Sequence, residues 1–205
     1  MILSPGPDVA HQLEIQPSAT YGVLYLDPPT KFVVRSKKGM GRSAERHYPT
    51  MTWPQLHALA GDISRVSKTD CVMLIWTTWP HLLNTLALIE AYGFVYKTCG
   101  FDWMKASVST IDLFPDPKSA DMKMGYWTRS NSEVCLLATR GRPRRVKADV
   151  RMGIIEPARQ HSRKPDCVHG RIERLVAGPY LELFGRTERP GWTVLGNEVG
   201  KFKSA

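Results

Sequence analysis

The sequence is poor in features that would bind a metal or cross-link a chain. Its four cysteines, Cys71, Cys99, Cys135 and Cys167, lie far apart and form no C-x-x-C pair. Neither a zinc site nor a disulfide framework is indicated, and the four read as reduced core thiols. There is no G-x-G-x-x-G, which removes the main support for a dehydrogenase. The opening MILSPGPDVA has no basic flank and no long apolar stretch, so export is not expected and a cytoplasmic setting follows. No segment reads as a membrane span: the uncharged run from Cys71 to Ile89 is interrupted by Thr77, Thr78, Pro80, His81 and Asn84, and divides into a strand and an amphipathic helix. Acidic residues are also short in supply. Lys and Arg number 28 against 19 Asp and Glu, a formal net charge of +9, which points to a polyanionic partner.

A chain of 205 residues with 42% hydrophobic content can bury one core. We expect one domain over residues 1–205, with its core at about 20–200. Short apolar, β-rich runs alternate with helical patterns, the α/β signature. YGVLYL at 21–26 is a strand, a helix follows from Pro54 to Ile63, CVMLIW at 71–76 is a strand, and a helix runs from about His81 to Tyr92. Thr52 is the expected cap of the first helix, with a proline in its first turn, and Gly93 the stop of the second. FVYKTCGFDW at 94–103 and EVCLLAT at 133–139 are further strands. HSRKPDCVHGRIERLVAG gives a loop, a helix start at Pro165 and a stop at Gly178, and YLELF and VLGNE are the closing strands. The segments at 31–50 and 105–130 are too long for ordinary connections and are expected to face substrate.

The sharpest chemical signal is Leu26-Asp27-Pro28-Pro29 directly after the first strand. Ligands of open α/β sheets bind beyond the carboxyl ends of strands, so Asp27 stands where chemistry is expected. Proline lacks an N–H and fixes φ, so Pro28 and Pro29 hold a backbone carbonyl rigidly beside the carboxylate. Two such acceptors suit the amino group of adenine, whose lone pair is delocalised until its hydrogens are held in a pyramidal geometry. The same tripeptide also serves simply to turn a chain, so the rest of the sequence must decide.

The rest of the sequence resembles the MT-A family of adenine-N6 methyltransferases from about Tyr21 to Asn197. The landmarks are LDPP at 26–29, HYPTM at 47–51, LIWTT at 74–78, GYWTRSNSEVCLLATRG at 125–141, HSRKPD at 161–166, ELFGR at 182–186 and GWTVLGN at 191–197. The resemblance implies a Rossmann-like methyltransferase fold in permuted order, with the catalytic motif before the cofactor strand, and S-adenosylmethionine as cofactor. It makes Asp27, Pro28 and Pro29 catalytic and places Asp27, Lys164, Glu182, Arg186 and Asn197 at the cofactor. A lysine at a helix N-terminus also suits the methionyl carboxylate on independent grounds. An acid at a strand end likewise suits a ribose hydroxyl pair. Glu188 and Arg189 depart from the family pattern, and those contacts are not carried over. A second departure is Thr30, where the family has an aromatic residue that stacks on the target base; such stacking is worth about 1 to 3 kcal/mol per base. Phe32 is the nearby substitute.

Two basic clusters remain. Lys31, Arg35, Lys37, Lys38, Arg42 and Arg46 follow the catalytic motif, together with Tyr48, while Arg140, Arg142, Arg144, Arg145 and Lys147 follow the EVCLLAT strand. Both suit phosphate contacts near the mouth of a site, although charge runs are more often solvated faces. A duplex base would have to be flipped out, with Trp103, Tyr126 or Trp127 as candidates to clamp it or fill the gap. The expectation is an adenine-N6 methyltransferase acting on nucleic acid, DNA ahead of RNA, as a homodimer. The competing reading, prompted by Thr30, is an inactive nucleic-acid-binding or partner subunit of the same fold.

Overall fold

The computed structural model describes residues 20–30, 50–106, 127–128, 130–159, 163–197 and 199–200. The elements in chain order are β1 (Tyr21–Leu26), α1 (Trp53–Ala58), α2 (Ala60–Val66), β2 (Ser67–Thr77), a 3-10 turn at Trp79–His81, α3 (Leu82–Ala91), β3 (Val95–Ala106), β4 (Ser132–Arg140), β5 (Gly153–Pro157), α4 (Cys167–Leu175), β6 (Tyr180–Leu183) and β7 (Trp192–Leu195). The strands form one sheet in the order β5-β3-β4-β2-β1-β6-β7. Strand β1 is parallel to β2 and β6, β6 to β7, and β3 to β5; β4 alone runs against its neighbours β2 and β3. This is the Rossmann-like α/β arrangement expected.

Both faces of the sheet are covered, so the central strands read as almost continuous apolar runs. Period-two alternation divides them. Leu24, Leu26, Met73, Ile75, Leu181 and Leu183 face a cluster with α1, α2 and α3, whereas Val23, Tyr25, Val72, Leu74 and Trp76 face α4 through Val168 and Ile172. The helices leaving β1 therefore cover one face, and the helix entering β6 covers the other. The strand order departs from β1 in both directions, which makes the carboxyl ends of β1 and β6 a topological switch point.

Local signals account for most boundaries. Thr52 and Gln55 form a capping box: the Gln55 N–H donates to the Thr52 hydroxyl at 3.4 Å and the Thr52 N–H to Gln55 Oε1 at 2.8 Å. The single helix expected over Pro54–Ile63 is instead two, because the Leu59 N–H bonds back three residues to Leu56 at 3.1 Å and tightens the chain there. The last helix starts at Cys167 rather than Pro165. Asp166 precedes it but commits its carboxylate to Arg159 and Arg163 instead of capping. Strand β5 has no counterpart in the sequence reading: at 5 residues, with Glu156 and Pro157 in it, it is too short and too polar to announce itself.

The four cysteines are free; Cys71 and Cys135 are buried as expected of core thiols, Cys99 and Cys167 only partly so, and burial pushes the Cys71 thiol up to about 12. Among the described residues, no helix is long and apolar enough to cross a membrane and no group of His, Cys, Asp and Glu could hold a metal.

Candidate functional site

Asp27 leaves the carboxyl end of β1 on the face that carries Tyr25, and the chain after it is pinned at once. The Thr30 N–H donates to the Pro28 carbonyl at 2.8 Å, the Met51 N–H donates to the Pro29 carbonyl at 2.7 Å, and Thr30 bridges to Met51. Asp-Pro-Pro is therefore both a tight turn and a rigid mount for its carboxylate. A carbonyl oxygen has two lone pairs, so Pro28 keeps one acceptor site beyond its bond to Thr30.

Lys164, in the segment before α4, donates to Asp27 Oδ2 at 2.8 Å and lies 3.4 Å from Glu133 Oε2. Its ammonium sits over the Trp76 ring, 5.4 Å from the centroid. The sheet order explains this posture. Asp27 follows β1 and Glu133 is on β4, with β2 between them, so a side chain joining the two carboxylates has to cross the inward residue of β2, Trp76. Trp76 in turn donates its indole N–H to the Tyr25 hydroxyl at 2.7 Å. Burial and the acids Glu182 and Asp27 push the Tyr25 phenol well up, so it stays neutral as an acceptor. Glu133 is held from the other side by Lys105 of β3, a lysine with only 6% of its side chain exposed.

Glu182 is the register partner of Tyr25 on β1 and of Val194 on β7. It shares a hydrogen bond of 2.8 Å with His169 Nε2 of α4, and His169 packs edge-on to Tyr25 and Trp192. Glu182 is the penultimate residue of β6, at the carboxyl end of the strand, and its carboxylate is tied beneath α4. The row continues outward to a cleft of about 530 Å³ lined by Glu188, Arg189, Pro190, Trp192, Val194 and Val199, within the size range of small-molecule sites. Arg186 and Asn197 follow β6 and β7, half-buried and exposed respectively.

The loops leaving these strands approach backbone to backbone. A Cβ at Gly196 would collide with the Gly185 carbonyl, and one at Gly185 with Val194 Cγ1. Part of what makes ELFGR and LGN recognisable is therefore close packing rather than chemistry. Phe184, directly before Gly185, adopts φ 66°, a left-handed conformation that is strained for a bulky residue.

Other expectations fall elsewhere. Arg140 pairs with Cys71 at the start of β2, whereas Asp27 lies beyond the end of β1 next to the end of β2. With Arg142, Arg144, Arg145 and Lys147 following it, the second basic cluster stands at the end of the sheet away from Asp27. It does not flank the mouth of the site. Arg140 donates to the Ser64 carbonyl at 3.2 Å and the Arg142 N–H to Asp70 at 2.7 Å. Trp103 is 2% exposed and donates to the Glu156 carbonyl, so it belongs to the core, while Trp127 is 91% exposed. Lys31, Phe32, Arg35, Lys37, Lys38, Arg42, Arg46, Tyr48 and Tyr126 lie outside the described residues. The sequence reading passed over Glu133, Lys105 and His169. A signal existed for Lys105: it is two residues beyond Trp103, on the inward side of an apolar strand, where lysine is rare unless paired.

The family model described as MT-A70 matches residues 21–198. The chain is 31% identical to the Type II methyltransferase M.MunI of Mycoplasma sp over 216 residues, covering 96% of this chain and 84% of that protein. It is 27% identical to the N(6)-adenosine-methyltransferase MT-A70-like protein of Arabidopsis thaliana, covering 88% of this chain but 24% of that one. Against the human N(6)-adenosine-methyltransferase catalytic subunit METTL3 the identity is 36%, over 38% of this chain and 14% of that protein. The chain thus spans most of the first relative and about a quarter or less of the other two.

Proposed function

The chain belongs to the MT-A70 family of methyltransferases, and on that premise we propose that it transfers the methyl group of S-adenosylmethionine to the N6 amine of adenine in DNA. The observation that carries the reading is Asp27: a carboxylate on a proline-braced turn, at the switch point of the sheet, hydrogen-bonded to Lys164 at 2.8 Å. Asp27 and the second lone pair of the Pro28 carbonyl are the two acceptors that hold the amino hydrogens of the base and make its nitrogen a better nucleophile. Both are fixed before substrate arrives, and preorganised dipoles of this kind contribute most to catalysis.

The residues present fit the cofactor. Lys164 would take its carboxylate, Glu182 and Arg186 its adenosine end, and Asn197 a further polar contact. From Asp27 to the cleft beside β7, the row runs across two strand spacings, about 10 Å, which suits an elongated ligand. The cofactor supplies an electrophilic methyl group. The protein's part is to orient it, to hold the amine and to exclude water.

DNA is favoured over RNA because the relative that the chain matches along most of its length is a Type II methyltransferase, whereas the matched N(6)-adenosine-methyltransferases are several times longer. A net charge of +9 supports a phosphate-bearing substrate. We further propose that the chain pairs as a homodimer, which would widen the basic surface presented to that substrate. The test is transfer of labelled methyl from S-adenosylmethionine to duplex DNA, single-stranded DNA and RNA, with wild type beside Asp27→Ala. Label on adenine that vanishes in the variant supports the reading and names the substrate. No label on any of them, with no cofactor binding, leaves the inactive-subunit reading that Thr30 prompts.

A further inference from the structure

The four charges at the reaction centre form one chain of alternating sign. Lys105 of β3 binds Glu133 Oε1, Glu133 Oε2 lies 3.4 Å from Lys164, and Lys164 donates to Asp27 at 2.8 Å. The first member is the most enclosed, with side-chain exposures of 6% for Lys105, 11% for Lys164, 21% for Glu133 and 28% for Asp27. Its ammonium also rests 4.7 Å from the centroid of the Trp103 ring, whose edge meets Trp76. Burying a lysine this far carries a large desolvation penalty, which a bare structural role does not require, since a methionine would fill the same space.

Lys164 is placed between two carboxylates that compete for it. It sits closer to Asp27, at 2.8 Å against 3.4 Å, while Glu133 has the Lys105 cation on its other oxygen. Without that cation, Glu133 would be a mostly buried anion that has lost the positive charge on its Oε1, next to a long, flexible lysine, and it would draw Lys164 off Asp27. We propose that Lys105 is a positioning residue for methyl transfer: by holding Glu133 it leaves Lys164 to Asp27, and so fixes both groups at the reaction centre from across the sheet. The inference rests on the methyltransferase reading but concerns the lysines and acids of this chain alone.

The test is a double-variant cycle. Lys105→Met takes the positive charge from Glu133 Oε1, and in the crystal structure of that variant Lys164 Nζ moves onto Glu133 and out of hydrogen-bond range of Asp27. A displacement of about 1 Å at such a site costs about a hundredfold in rate. The loss is expected in kcat, with the KM for nucleic acid nearly unchanged. Adding Glu133→Gln removes the competing charge, returns Lys164 to Asp27 and recovers most of the lost kcat. If Lys105→Met is too unstable to crystallise, the double variant, which buries no unpaired charge, still reports the Lys164 position and kcat. Lys164 unmoved in Lys105→Met overturns the proposal, as does a kcat loss that Glu133→Gln fails to repair. If wild type transfers no methyl to any nucleic acid, the proposed function falls, while the lysine displacement still decides the positioning role.

Discussion

The two faces of the sheet are built from the same strands and each buries an apolar cluster, but the face toward α4 also carries the charges of the candidate site. Toward α1, α2 and α3 the inward residues are Leu24, Leu26, Met73, Ile75, Leu181 and Leu183, a hydrocarbon layer. Toward α4 the alternate positions are Tyr25, Trp76, Glu182 and, on β3 and β4, Trp103, Lys105 and Glu133, joined by Lys164 and His169 from above. One residue of register separates the two sets. A strand buried on both faces can thus divide its labour: both faces supply cohesion, and one also uses aromatic walls to shield charges that would be costly in hydrocarbon.

Substitutions on the two faces should separate activity from stability. The largest effect is expected from Asp27→Asn, which removes a charged acceptor without leaving a cavity: methyl transfer falls about a thousandfold, with the urea midpoint nearly unchanged. A midpoint that collapses with activity would show that the polar face also carries the fold. Leu24→Ala, on the opposite face of the same strand and fully buried, should do the reverse. It loses about 2 to 5 kcal/mol of stability by denaturant titration. Its kcat, measured where the protein is folded, stays at the wild-type level.

Smaller effects refine the contrast. Glu182→Gln weakens the bond to His169 and the acceptor offered to the cofactor; calorimetry should show affinity for S-adenosylmethionine falling about tenfold, or 1.4 kcal/mol. Two groups, His81 and Asp166, give the stability a pH response. Burial lowers the His81 imidazole below its usual 6.5. As pH drops below 6.5 the unfolded chain takes a proton that the folded chain resists, so stability falls until the folded form also protonates. His81→Gln should flatten the stability curve in that window. Asp166, held low by Arg159 and Arg163, loses its contribution only as pH falls below the ordinary carboxylate value of 3.8. The smallest effect is expected from Arg144→Ala with Arg145→Ala at the far end of the sheet. Turnover should change by less than about twofold, and the salt slope of nucleic-acid binding by at most about one for each phosphate no longer neutralised. A large drop in turnover would mean that substrate wraps to that end.

Much was legible in the chain because alternation, caps and turn residues are local. The strand before Asp27, the cap at Thr52, the stop at Gly93 and the braced Asp-Pro-Pro turn each follow from neighbours within a few residues. The alternation of apolar runs with helical patterns also announced an α/β fold. Misplacements arose where a distant contact decided the outcome. Asp166 prefers two arginines to the helix behind it, β5 exists because β3 offers it an edge, and Leu59 breaks a helix that propensity would continue.

The candidate site divides the same way. Local sequence was enough to set a carboxylate at the end of the first strand, to make its turn rigid and to bring a lysine near the start of the last helix. Which charges meet was settled in three dimensions: strand order put β2 between Asp27 and Glu133, so Lys164 had to lie across Trp76, and the antiparallel run of β4 sent Arg140 and its neighbours to the far end. The reason is physical. Caps and turns are settled by interactions a few residues long, whereas an ion pair depends on which strands are neighbours, and that is fixed by burial over the whole sheet.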